Sequence, residues 1–210
     1  MIMRKILVAA MFSAAFSLCR AQDIKLLQPD TQGGKTLMKA FWDRKSDREY
    51  SEKTLTDKDL SNLVWAATGI NRKDSGKRTN PTAMNLQEIM LYVFNDKAVY
   101  LYDAKKHTLV KKADGDHRNL IAGRQDFASK APVSLLMVVD MSKYMDDDEH
   151  ARLMGAVDAG IVSQNINLYC AANNLCTVPR GTMDQNGIRK LLGLTELQIP
   201  LINNPVGYPK

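Results

Sequence analysis

The sequence predicts an α+β protein: a mixed sheet with helices packed on it and one long helix at its centre. Three observations predict it. Several short segments have the apolar alternation of strands, two of them are joined as a hairpin, and the stretch from about Glu149 to Asn173 is helical and apolar on nearly every side. The 210 residues, 45% hydrophobic and 25% charged, are enough for one good core, so a single domain over residues 22–210 is expected.

The first 21 residues stand apart. "MRKILVAAMFSAAFSLCRAQ" has a basic start, an apolar run from Ile6 to about Leu18 and a small residue at Ala21, the pattern of a secretory signal peptide cleaved before Gln22. The run is short for a membrane span. A lipoprotein anchor on Cys19 is the alternative, against which Leu18 stands where such motifs carry a small residue. Arg4-Lys5 is not a twin arginine, so the chain is expected to cross unfolded and to be periplasmic. Removing the leader removes Arg4, Lys5 and Arg20 and lowers the formal charge from +6 to +3. With no basic stripe interleaved with aromatics, nucleic acid is not an expected partner.

Each element has its own signal. "TDKDLSNLVWAATGI" opens on Thr56 as N-cap with Asp59 three positions on, carries Leu60, Leu63, Val64 and Ala67 as a stripe, and stops at Gly69. "IMLYVFN" is strand-like, and "AVYLYDAKKHTLVKK" is two strands joined by a turn over Asp103 to His107. "HRNLIAGRQDFAS" suits a short helix. "VSLLMVVDM" is a continuous apolar run of strand length, which predicts a central strand covered on both faces.

In the long helix Leu153, Val157, Ile161, Ile166 and Leu168, with Gly155, Ala156, Ala159 and Gly160 between them, leave a narrow polar face. Such a helix belongs in the middle of a protein or in an interface. Asp146, Asp147, Asp148 and Glu149 precede it or fill its first turn, where they complement the helix dipole rather than form a metal site. "NLCTVPRG" is a strand running into a loop, "DQNGIRKLLGL" a short helix stopped by Gly193, and "IPLINNPVGYP" a last strand.

Candidate chemistry is sparse. Cys170 and Cys176 are either a disulfide of an oxidising compartment or two small hydrophobes. Neither has a histidine at metal-ligand spacing, and His107, His117 and His150 are scattered through polar segments. The one conspicuous cluster is "DRKSDREY", residues 43–50, where Arg44, Lys45 and Arg48 surround Ser46. It is either a solvated charged face or a phosphomonoester clamp, since guanidinium forks bind phosphate bidentately and a hydroxyl adds a donor.

"RKSDREY" resembles the arginine-x-serine-x-arginine-x-aromatic opening of the nitroreductase-like, FMN-dependent oxidoreductases. The likeness continues through "LSNLVWAATGINR", through "RTNPTAMNLQEIMLYVF", and through "VYLYDAKKHTLV", which is similar to the branch holding azoline dehydrogenases of the SagB type. It extends over "DAGIVSQNINLYCAANNL", "VPRG" and "PLINNPVGYP", and so over nearly the whole chain from about Phe41.

The resemblance implies a mixed, mostly antiparallel sheet and a homodimer with FMN at the subunit interface. By position it implies that Arg44, Ser46 and Arg48 hold the FMN phosphate with Lys45 beside them, and that Asn85 and Gln87 meet the ring edge or ribityl chain. Arg180 and Gly181 would bring backbone N–H groups to flavin N5 and O4. Lys210 is the one residue placed to stand in for basic residues that relatives carry beyond the last strand. Gln164 and Asn165 either touch cofactor or serve the helix. The flavin itself would carry the chemistry, with no side-chain nucleophile, acting on a small organic substrate such as a nitroaromatic, a quinone or an azoline. The alternative is a flavin-binding module without turnover. Arg180 stands where some relatives have an acid, a departure that would alter the charge near the ring. Export is a second departure, because little NAD(P)H is found outside the cytoplasm.

Overall fold

The computed structural model describes residues 22–210, so the leader expected at residues 1–21 lies outside the described residues. In chain order the elements are β1 (Ile24–Lys25), α1 (Leu37–Asp43), α2 (Asp57–Thr68), β2 (Ile70–Arg72), β3 (Lys77–Arg78), β4 (Ile89–Phe94) and β5 (Ala98–Asp103). They continue with β6 (Thr108–Asp114), α3 (Arg118–Ala122), β7 (Val133–Asp140), α4 (Glu149–Ala172), β8 (Cys176–Thr177), α5 (Gln185–Leu192) and β9 (Gln198–Gly207). One seven-stranded sheet runs β1-β6-β5-β4-β7-β9-β8, and a separate hairpin pairs β2 with β3. Every pairing in the large sheet is antiparallel.

The continuous apolar run of β7 follows from what lies on its two faces. Leu135, Met137 and Val139 join the core under α2 and α4, with Leu63, Val64, Val162 and Ile166. Leu136 and Val138 point the other way, into a second core with Ile121 of α3 and Ile188 of α5. Successive side chains alternate across a strand, so a strand between two helical layers has no polar side. Neighbouring β4 divides in the same way, Leu91 and Val93 to one core and Tyr92 and Phe94 to the other.

The caps are where local chemistry places them. Thr56 Oγ1 accepts from the Asp59 amide at 3.1 Å, and Gly69 closes α2. Asp148 Oδ1 accepts from the Ala151 amide at 2.7 Å, and Asp184 caps α5, which Gly193 ends in the left-handed region. The helix expected over "HRNLIAGRQDFAS" is cut to Arg118–Ala122 because Gly123 turns at φ 56, and a 3-10 turn over Asp126–Lys130 follows. Neither β1 nor α1 was expected. The cap of α1 is the Thr36 side chain, and of its own residues only Ala40 is buried.

α4 differs from the expected central helix in which face it buries. The buried side carries Ala151, Gly155, Asp158, Ala159, Val162, Ser163, Ile166, Asn167 and Cys170. Leu153 and Val157, expected in the apolar stripe, are 57% and 47% exposed. The polar residues are inward because they answer buried groups of the sheet and of a loop, and the outward apolar residues are left without cover. Gly155 is needed for contact with β7, since a Cβ there would lie 2.7 Å from Val139 Cγ1. Gly155→Ala is therefore expected to lower stability by about 1–3 kcal/mol. An unchanged urea midpoint would show that α4 and β7 can separate at no cost.

Candidate functional site

The cationic cluster sits on a pinned piece of backbone. α1 ends at Asp43, whose carboxylate is held by Lys35 and Lys39 at 2.8 and 2.7 Å. Beyond it the Asp47 amide donates to Thr177 O of β8, the Tyr50 hydroxyl donates to Asp47 O, and the Ser51 amide donates to Tyr208 O, each at 3.0 Å. Side chains then alternate. Lys45 and Asp47 pair at 3.2 Å and line one cavity with Asn167, Cys170, Cys176 and Thr177. Arg44, Ser46 and Arg48 occupy the odd-even partner positions and are exposed. Among the described residues their side chains have no hydrogen bond or ion pair, and Arg48 only overlies the Phe127 ring at 6.0 Å. Two guanidinium groups and a hydroxyl, unpaired on a fixed chain, have the donor chemistry that a phosphate dianion takes.

Asn85 and Gln87 lie in a turn of unusual backbone. Met84, Asn85 and Gln87 stand at φ 50, 56 and 52, a region that residues with a Cβ seldom enter. Gln87 Oε1 accepts from Arg78 Nε at 3.2 Å, and its Nε2 donates to Gly76 O at 3.0 Å, which ties the turn to the β2–β3 hairpin. Gln87 is therefore largely engaged within the chain, whereas Asn85 is exposed. Asp158 on α4 supports the turn from below, its Oδ2 accepting from the Ala83 amide at 2.7 Å.

The two groups of predicted residues are far apart in the folded chain. Ala83 meets α4 at Asp158, while the segment of Lys45 and Asp47 meets it around Cys170. Twelve helical residues separate those positions, or ~18 Å at 1.5 Å per residue. One copy of the chain does not bring them together.

Lys210 lies with Tyr50, Ser51, Arg118 and Lys130 along a groove next to the C-terminal end of the cationic segment. Gln164 is exposed and accepts from Asn167 Nδ2 at 3.3 Å, and Asn165 Nδ2 donates to Ala67 O at 3.3 Å, joining α4 to α2. Cys170 and Cys176 are free, buried thiols, and burial pushes Cys176 up to about 11.

The sequence model of the Nitroreductase family matches residues 43–208. The chain belongs to the nitroreductase family. With this the enzyme class follows: the protein is a flavin-dependent oxidoreductase. It is similar to a candidate nitroreductase of Methanocaldococcus jannaschii, 30% identical over 175 residues that span 78% of this chain and 86% of that one. It is also similar to the FMN reductase (NAD(P)H) of Bacillus subtilis, 25% identical over 188 residues, 82% of this chain and 66% of the relative. Among crystal structures, a candidate nitroreductase of Ralstonia eutropha superposes with a TM-score of 0.84 at 32% identity over 90% of each chain. The NADPH:FMN oxidoreductase of Vibrio harveyi in complex with NAD+ gives 0.62 at 21% identity over 83% of this chain and 69% of that one, a likeness of fold.

Within this nitroreductase fold Arg180 plays a part that its spacing did not announce. It is 7% exposed, and its guanidinium donates to Gln125 Oε1 at 2.8 Å, Asn203 Oδ1 at 2.9 Å, Ile121 O at 3.2 Å and Ala122 O at 2.9 Å. It thereby answers the last carbonyls of α3 and stacks on Phe127 at 5.2 Å. The expected cation beside the ring is thus turned into the protein. The Arg180 amide is also engaged, donating to Asn203 O at 2.8 Å, so of the predicted pair of amides it is Gly181 that lies on an exposed loop.

Sequence reasoning missed the two asparagines of "LINNPV". In a strand they face opposite sides. Asn203 donates to Thr182 O at 3.0 Å and accepts from Arg180, while Asn204 donates to Asn167 Oδ1 and Thr177 Oγ1, both at 3.2 Å, and accepts from Ser163 at 2.7 Å. Two adjacent amides in an otherwise apolar strand were the available signal, because buried polar groups need partners.

Proposed function

We propose that the protein is an FMN-dependent oxidoreductase that moves electrons between a reductant and a small organic acceptor such as a nitroaromatic, a quinone or an azoline. The observation that carries it is the set of Arg44, Ser46 and Arg48, unpaired among the described residues, on a backbone fixed at Asp47, Tyr50 and Ser51. These side chains would hold the phosphate, with Lys45 and Lys210 adding positive charge nearby. Bound there, FMN supplies two-electron transfer at its N5. The chain's own share is to bind, orient and exclude water: Gly181 presents an exposed amide to the ring, and Asn85 offers a side-chain amide to its polar edge.

A homodimer is part of this reading. α4 and α1 leave apolar side chains outside, with Leu153 and Val157 at one end, Met38 and Trp42 at the other, and exposed Met84 on the turn that Asp158 holds. Two copies of α4 packed antiparallel would cover both ends and bring the Asn85 turn of one protomer toward the Arg44 segment of its partner, an isologous arrangement. Val157→Glu, at an exposed position, is expected to leave the fold intact while giving a monomer by sedimentation velocity that has lost FMN. A variant that stays dimeric and yellow would remove α4 from the interface. Periplasmic export belongs to the proposal as well, and N-terminal sequencing of the secreted protein, expected to begin at Gln22, tests it.

The visible absorption spectrum of the purified protein, before and after incubation with FMN and desalting, tests the cofactor. A retained flavin spectrum together with protein-dependent reduction of a quinone or nitroaromatic by NADH or NADPH supports the proposal. Flavin retained without turnover with any donor would reduce the protein to a flavin-binding module, and a colourless protein would end both readings.

A further inference from the structure

Two carboxyl groups that the proposed cofactor contacts do not use lie directly beneath the turn that bears Asn85 and Gln87. Asp158, 5% exposed, holds the Ala83 amide. Glu88 follows the turn, is 1% exposed, and neither of its carboxyl oxygens has a hydrogen-bond partner among the described residues. The buried Tyr144 hydroxyl faces Glu88 and reaches the same place through space that Gly155 leaves, where a Cβ would come within 3.7 Å of Tyr144 Oη. The titratable and charged groups that face Glu88 are Asp158 from α4, Tyr144 from the segment after β7, and Arg78 from β3. The guanidinium of Arg78 does not pair with Glu88, for it donates to Gln87, Thr68 and Ile89 O.

A carboxylate buried without a donor is costly, and two carboxyl groups that share a site do not both ionise readily. Burial, with Asp158 beside it, pushes Glu88 up to about 7. We propose that buried Glu88 carries a proton, and that its neutral carboxyl lets Asp158 stay turned to the Ala83 amide, making the pair a positioning device for Asn85 and Gln87. The role toward the flavin rests on the reading above; the proton on Glu88 does not.

Above neutral pH the proton leaves to solvent, and two carboxylates then face each other in a buried place where the Tyr144 hydroxyl is the one neutral donor named above. Turning one of them away relieves the repulsion and releases the Ala83 amide. Met84, Asn85 and Gln87, held at positive φ, then leave a conformation that only the surrounding contacts maintain. The sign follows from linkage. The folded state favours the neutral carboxyl, so its stabilisation is complete below the unfolded value of about 4.3 and is lost as pH rises through the folded value near 7.

Amide hydrogen exchange at residues 82–88, read by NMR from about pH 6 to about pH 8, tests this independently of any activity. In the wild type the protection of the Ala83 amide is expected to fall about tenfold across that range, the effect of one unit of titration. Glu88→Gln, neutral at every pH, is expected to keep protection constant. Asp158→Asn, which retains an acceptor for Ala83 and does not titrate, gives the same expectation if Glu88→Gln fails to fold. Constant protection in the wild type, or an undiminished fall in both variants, would overturn the proton on Glu88. FMN affinity over the same range separates the two layers: parallel weakening in the wild type alone supports the positioning role, and unchanged affinity while Ala83 loosens overturns it.

Discussion

Arg44→Ala is expected to weaken FMN binding by about 1.5–3 kcal/mol, the range for a hydrogen bond to a charged group, which is roughly 10- to 150-fold in Kd. The same substitution should leave the thermal midpoint of the unliganded protein unchanged, because the Arg44 side chain is exposed and has no partner among the described residues. This separation of ligand from stability is the point of the prediction. Isothermal titration with FMN and a melt without it are sufficient to check it. Arg44→Lys is expected to recover only part of the loss, since an ammonium cannot make the bidentate contact of a guanidinium. An Arg44→Ala protein that binds FMN like the wild type would return "DRKSDREY" to a solvated charged face.

Arg180→Ala is expected to do the opposite, lowering global stability by about 3–5 kcal/mol by leaving buried acceptors unanswered. The Ile121 carbonyl and the Asn203 side-chain oxygen lose their donor, the Ala122 carbonyl keeps only the Gln125 amide, exposed Gln125 turns to water, and Phe127 loses the cation stacked on it. Denaturant unfolding of the FMN-free protein measures this directly. A loss confined to flavin affinity, with unfolding within about 1 kcal/mol of the wild type, would instead put the guanidinium at the ring. Such a small change is what an ordinary surface substitution gives. Arg44 and Arg180 are thus two arginines with separate tasks, one open to a ligand and the other part of the fold.

Much of the fold was legible because the relevant contacts are local. The hydroxyl of Thr56 answers an amide three residues on, Gly193 alone adopts the left-handed end of α5, and "VSLLMVVDM" states by its composition that both faces are covered. The cationic segment was legible for the same reason, since alternate positions of an extended chain share a side. α1 and β1 were not legible. β1 is two residues long and exists through its pairing with β6, and α1 buries only Ala40, so neither imprints a period on the sequence.

The sequence by itself determined the long apolar strands, the Thr56 cap and glycine stops of α2 and α5, and the spacing of Arg44, Ser46 and Arg48, because their signals lie in the segment itself. Tertiary structure decided the rest. Only folding brings Arg180 to Ile121, 59 residues away, and Asp158 to Ala83, 75 residues away. Which polar group is buried, and what answers it there, is fixed by desolvation and by partners that lie far along the chain. The same physics explains why the charge at Arg180 reads alike in sequence to that at Arg44, yet one is enclosed by carbonyls and the other is left free.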